Sequence, residues 1–93
     1  MNKTEKLTLI EGTFSNEEVK EILMNLFSTK IDFHELKNFS SIERFGEVDA
    51  TAQKRIPQLK QEVEKLTKLL AEANTSKKQI TINSEIKISI SEG

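Results

Sequence analysis

The chain has no cysteine, tryptophan or tyrosine, and only one histidine, one proline and three glycines among 93 residues. Each shortage closes a class of chemistry. Without cysteine there is neither a disulfide framework nor a thiolate zinc site. Gly12, Gly46 and Gly93 are too scattered to form a loop that cradles phosphate. His34 cannot supply the ligand set of a transition-metal site by itself, even with Asp32 and Glu35 beside it. Its place near an apolar stripe suggests a boundary residue satisfied by a neighbour. Glu17 and Glu18 are explained by helix capping, and Glu62 and Glu64 by a solvated helix face. No catalytic, cofactor-binding or metal-binding residue is therefore assigned, and the chain is not expected to be an enzyme.

No stretch approaches the roughly 20 apolar residues of a membrane span. The opening Met1-Asn2-Lys3-Thr4-Glu5-Lys6 is not followed by the apolar core of a secretory signal, so a cytoplasmic protein with no membrane partner is expected. The net charge of −1 and a pI near 5.9 argue against a nucleic-acid binder driven by electrostatics. Seven basic residues face four acidic ones between Asp49 and Lys78 (Lys77 and Lys78 included), but glutamates interleave them as on a solvated helix face. All five aromatics are phenylalanine. Phe14 reads as a staple and Phe27 and Phe33 as core, leaving Phe39 and Phe45 as exposed anchors.

What the chain does have is periodicity. Between Gln79 and Ser91, Ile80, Ile82, Ile86, Ile88 and Ile90 alternate with polar residues, the pattern of a strand with one apolar face. A shorter strand of about six residues is expected near Lys6 to Glu11, with Leu7 and Leu9 on one face. Ile10 breaks its alternation and Gly12 marks a turn. Ser15-Asn16-Glu17-Glu18 matches a capping box, with Phe14 and Val19 placed as a hydrophobic staple. The helix it opens carries Val19, Ile22, Leu23, Leu26 and Phe27, and is expected to run to about Phe39. Residues 28–33 leave room for an interruption. A loop from Ser40 to Gly46 follows, carrying Ile42, Arg44 and Phe45, the residue mix of an interface hot spot. The plainer reading has Ile42 and Phe45 plugging the end of a helical hairpin.

A second helix should start near Asp49 or Thr51. Ile56, Leu59, Val63, Leu66, Leu70 and Ala73 recur at spacings of three and four, a coiled-coil seam that Leu69 widens. Pro57 either marks the true start of this helix or kinks it near its beginning.

These elements predict a single α+β domain over 1–93 with β-α-α-β order: an antiparallel helical hairpin packed on a two-stranded antiparallel ribbon. The longer last strand would leave part of its edge unpaired, so oligomerisation is expected to extend the ribbon to a larger sheet. Leu59, Val63, Leu66 and Leu70 on the seam, with Ile82, Ile86 and Ile88 on the strand, are the candidate self-association residues. The expected function is a small non-catalytic homo-oligomeric interaction or accessory module, with itself as first partner and an unidentified protein as a further one. The alternative is a DNA-binding regulator. A strand followed by two helices is similar in order to the ribbon-helix-helix repressors, which implies Lys6 and Thr8 as base-facing residues and a phosphate at the start of the second helix.

Overall fold

The computed structural model describes residues 2–76 and 78–92; Met1, Lys77 and Gly93 lie outside the described residues. Strand β1 (Lys3–Phe14) leads into helix α1 (Asn16–Phe45), helix α2 (Ala50–Ser76) returns, and strand β2 (Ile80–Ile90) closes the order. The β-α-α-β order with a two-stranded antiparallel sheet is the expected α+β architecture.

Local chemistry explains the element ends. The Ser15 hydroxyl accepts from the Glu18 N–H at 3.2 Å, and the Glu18 carboxylate accepts from the Ser15 N–H at 2.9 Å, completing the capping box. That backbone hydrogen bond, and then the Ser15 hydroxyl, hold the Glu18 carboxyl below its ordinary pKa. Gly46 ends α1 in the left-handed region at φ 69°, where glycine carries no Cβ penalty, and donates to the Ile42 carbonyl at 2.9 Å. The Asp49 carboxylate then accepts from the Ala52 N–H at 2.8 Å, while the Asn38 side chain accepts from the Asp49 N–H at 2.8 Å. One residue thereby caps α2 and ties the turn back to α1.

Two expectations change, and one open alternative is decided. The first helix does not stop near Phe39: Ser40 and Ser41 remain helical and α1 continues unbroken through residues 28–33 to Phe45. Helix α2 begins at Ala50, between the expected starts at Asp49 and Thr51, so Pro57 does not mark the helix start but lies two turns inside it on an exposed position. The first strand has 12 residues against 11 in the last, so β2 is paired along its whole length.

The full pairing of β2 has a clear cause. Thr8 pairs with Glu85 and Ile10 with Ser84, so Leu9 is an extra, bulged residue. Its insertion reverses the parity of β1. Lys3, Glu5 and Leu7 before it share a face with Ile10, Gly12 and Phe14 after it, because directly opposed residues project to the same side. That face meets Ile90, Ile88, Ile86, Ser84, Ile82 and Ile80 in turn. Gly12 is therefore not a turn but a strand residue with φ 144°, a conformation that favours glycine.

The helices pack along a heptad seam. On α2, Leu59, Leu66 and Leu70 are buried and Ile56, Val63 and Ala73 half-buried, as their spacing predicts, and Ala52, outside the expected seam, is buried too. Leu69 does not widen this stripe; it is 60% exposed. Val19 and His34 are buried on α1. The Asn16 amide donates to the Leu70 carbonyl at 2.7 Å, fixing the start of α1 beside the end of α2. The main apolar cluster, Val19, Leu66 and Leu70, gathers Phe14, Leu23, Met24, Phe27, Ile80 and Ile82 around it, so ribbon and hairpin are joined at that end.

Adjacent leucines should therefore behave differently. Leu66→Ala is expected to cost about 3 kcal/mol through lost burial and a residual cavity. Leu69→Ala should stay within about 0.5 kcal/mol. Denaturant unfolding of the two variants measures the contrast, and equal losses would contradict this seam.

Candidate functional site

Both arms extend beyond their shared core. The molecule measures 50 × 36 × 15 Å with a radius of gyration of 16.9 Å. A compact domain of this length would have a radius of about 12 Å. Its accessible surface is 7651 Å², roughly 2,100 Å² more than expected for a compact monomer of this mass. Large exposed apolar side chains gather at three places, the third being the closed end of the hairpin with Leu36, Phe39, Ile42, Phe45 and Val48.

The first is the far half of the ribbon. Near the helices, Ile10 is buried and Phe14, Ile80 and Ile82 are half-buried. Farther out on the same face, Leu7, Ile86, Ile88 and Ile90 are each at least 40% exposed. The opposite face is polar throughout, and Thr13 and Thr81 approach to 3.4 Å across it.

The second place is a cleft of about 650 Å³ between β1 and α1, lined by Leu9, Ile10, Ile22, Leu26 and Phe33 with Asn25, Thr29 and Lys30. Ile22, Leu26, Thr29 and Phe33 recur at spacings of four, three and four, forming a second stripe beside the Val19, Leu23 and Phe27 stripe that meets α2. Reading both as one broad stripe concealed this cleft. Phe33, expected in the core, is 49% exposed, with the ammonium groups of Lys30 and Lys37 at 4.8 and 5.4 Å from its ring centre.

The candidate self-association residues divide between interior and surface. Leu59, Leu66 and Leu70 are buried inside the chain, and Val63 and Ile82 are half-buried; Ile86 and Ile88 remain open. The seam of α2 is thus occupied by α1, and in this arrangement it offers no face to a second copy. Ile42, Arg44 and Phe45 form no loop, because they belong to the last turns of α1. Arg44 and Phe45 line one shallow depression with Phe33 and Leu36, whereas Ile42, two residues from Arg44, lies on a different side of the helix. Ile42 and Phe45 do not plug the hairpin; both are exposed.

His34 also differs from expectation. It is 5% exposed, yet neither ring nitrogen has a hydrogen-bond partner among the described residues. The Phe33 ring meets it edge-on, with centroids 5.4 Å apart. An unpaired polar group in such a place costs about 1–3 kcal/mol. Among the described residues no group of three or more His, Asp or Glu side chains could hold a metal ion, and no helix is long and apolar enough to cross a membrane.

Comparison of the chain with protein-family models, curated proteins and solved structures finds no match. The reading of function therefore rests on the surfaces themselves.

Replacing His34 by a side chain of similar bulk tests its role. His34→Leu should raise stability by about 1–2 kcal/mol by removing the unpaired nitrogens from the helix interface. A thermal melt showing a loss of that size would reveal a polar contact made by the imidazole.

Proposed function

We propose that this chain is a small non-catalytic module whose first partner is another copy of itself, serving as an interaction or accessory subunit. The observation that carries this reading is the surface excess of roughly 2,100 Å² over a compact monomer. An obligate dimer interface buries about 1,000–2,500 Å² on each partner, so one such interface would account for it. The two outer edges of the ribbon are unpaired among the described residues and offer a further route to a larger sheet.

The DNA-binding alternative draws less support from this geometry. Lys6 and Thr8 do lie on the polar face of the ribbon, but Lys6 and Lys87 there are balanced by Glu11 and Glu85. A face with no net charge has little attraction for phosphate. Strand β1 is also already paired within its own chain.

Two substitutions at exposed positions test the proposal with little penalty to the isolated chain. Leu26→Glu and Ile88→Lys should each weaken self-association by about 2 kcal/mol, some thirtyfold in dissociation constant, as a charge enters an apolar interface. Sedimentation equilibrium measures the constants. The wild-type melting temperature should also rise with protein concentration, as for any chain stabilised by its own association. A concentration-independent melt and unchanged masses in both variants would overturn the reading.

A further inference from the structure

The far ribbon face and the β1–α1 cleft are both uncovered, both carry apolar side chains and are similar in length. The far half of the ribbon, from the Leu7–Ile86 pair to the Lys3–Ile90 pair, spans about 14 Å at the usual rise of a strand. The helix side of the cleft, from Ile22 to Phe33, spans about 17 Å at the helical rise. One carries Leu7 on β1 and Ile86, Ile88 and Ile90 on β2, edged on β1 by the Lys3–Glu5 ion pair; the other is an apolar channel of about 650 Å³. The polar groups of that channel, Asn25, Thr29 and Lys30, all come from α1 and do not converge from opposite walls, unlike the specificity groups of a small-molecule pocket. Phe14, Ile80 and Ile82 join the ribbon to the core of Val19, Leu66 and Leu70, and Leu9 and Ile10 of β1 face α1 across the cleft, so ribbon and α1 form the two sides of an open clasp.

We propose that two copies interlock through a two-fold axis, the far half of each ribbon lying in the β1–α1 cleft of the other. Leu7, Ile86 and Ile88 of one copy then rest on Ile22, Leu26 and Phe33 of the second, and the exchange is returned. This mode rests on the self-association reading above and specifies its interface. A two-fold contact must be self-complementary, which a clasp with one apolar arm and one apolar cleft satisfies in a single step. It covers the apolar face of the far ribbon and the β1–α1 cleft at once, and the excess area suits an obligate dimer. It also leaves the polar face of the ribbon outward.

Because the chain has no cysteine, introduced thiols can report proximity without background. Leu26→Cys and Ile88→Cys, each at an exposed position, are prepared separately, mixed, equilibrated and oxidised, with circular dichroism checking the fold and light scattering the mass. The interlocked dimer predicts that the dominant covalent dimer is the mixed one, a disulfide joining the L26C chain to the I88C chain, with little self-linking of either variant. A dimeric mass with only self-linked species, from helix-to-helix or edge-to-edge assembly, would overturn the interlocked mode and leave self-association standing. A monomeric mass for both variants and for the unaltered chain would overturn self-association itself. On the unaltered chain, an amine-reactive cross-linker applied to a mixture of light and isotopically heavy protein should join Lys3 of one copy to Lys30 of the other. Absence of isotopically mixed Lys3–Lys30 links from a dimeric sample would count against the mode independently of any substitution.

Discussion

The structure depends on one small junction. Val19 at the start of α1 and Leu66 and Leu70 near the end of α2 form a cluster that also holds Phe14 and Ile80, the last pair of the ribbon. Both ends of the helical hairpin and both strands are fastened there. The capping box at Ser15 and the bond from the Asn16 amide to the Leu70 carbonyl fix the same place through side-chain-to-backbone hydrogen bonds. From this junction the helices and the ribbon extend as separate arms. Among the described residues only six apolar side chains are buried, Ile10, Val19, Ala52, Leu59, Leu66 and Leu70, which is a limited core for a chain of this length. The outer parts of both arms keep apolar surface in water unless another chain covers it. The proposed self-assembly follows from this distribution, since burial of that surface would add to a core that is otherwise modest.

Features set by local chemistry were legible in the sequence. The capping box needs only Ser15 and Glu18 at the right spacing, and the cap at Asp49 needs only one carboxylate. The α2 seam was legible because its apolar residues keep one strict repeat from Ile56 to Ala73, so the inward face follows from spacing. The order of elements and the isoleucine face of β2 could be read in the same way.

Features that depend on a parity change or on two overlapping stripes were not. The bulge at Leu9 makes β1 look like a short strand ended by Gly12, because apolar residues move from odd to even positions within it. Only the partner strand reveals that both halves share one face. On α1, apolar residues meet α2 on one side and line the cleft on another, and their superposition masks both. The serines at 40 and 41 resemble a helix end, yet the helix stops where Gly46 supplies a left-handed residue. His34 shows a further limit. Its place on the helix put it only at the boundary of the stripe, whereas its burial and its lack of a hydrogen-bond partner depend on what packs around it.

The most direct test of self-assembly is the solution mass of the unaltered chain, by light scattering coupled to size exclusion over a wide concentration range. The expected mass is that of a dimer or larger, twice 10.6 kDa for the interlocked arrangement, persisting on dilution as befits a large apolar interface. A mass of 10.6 kDa at every concentration would contradict it. The uncovered arms would then belong to the surface of a monomer, and self-assembly could not be their purpose.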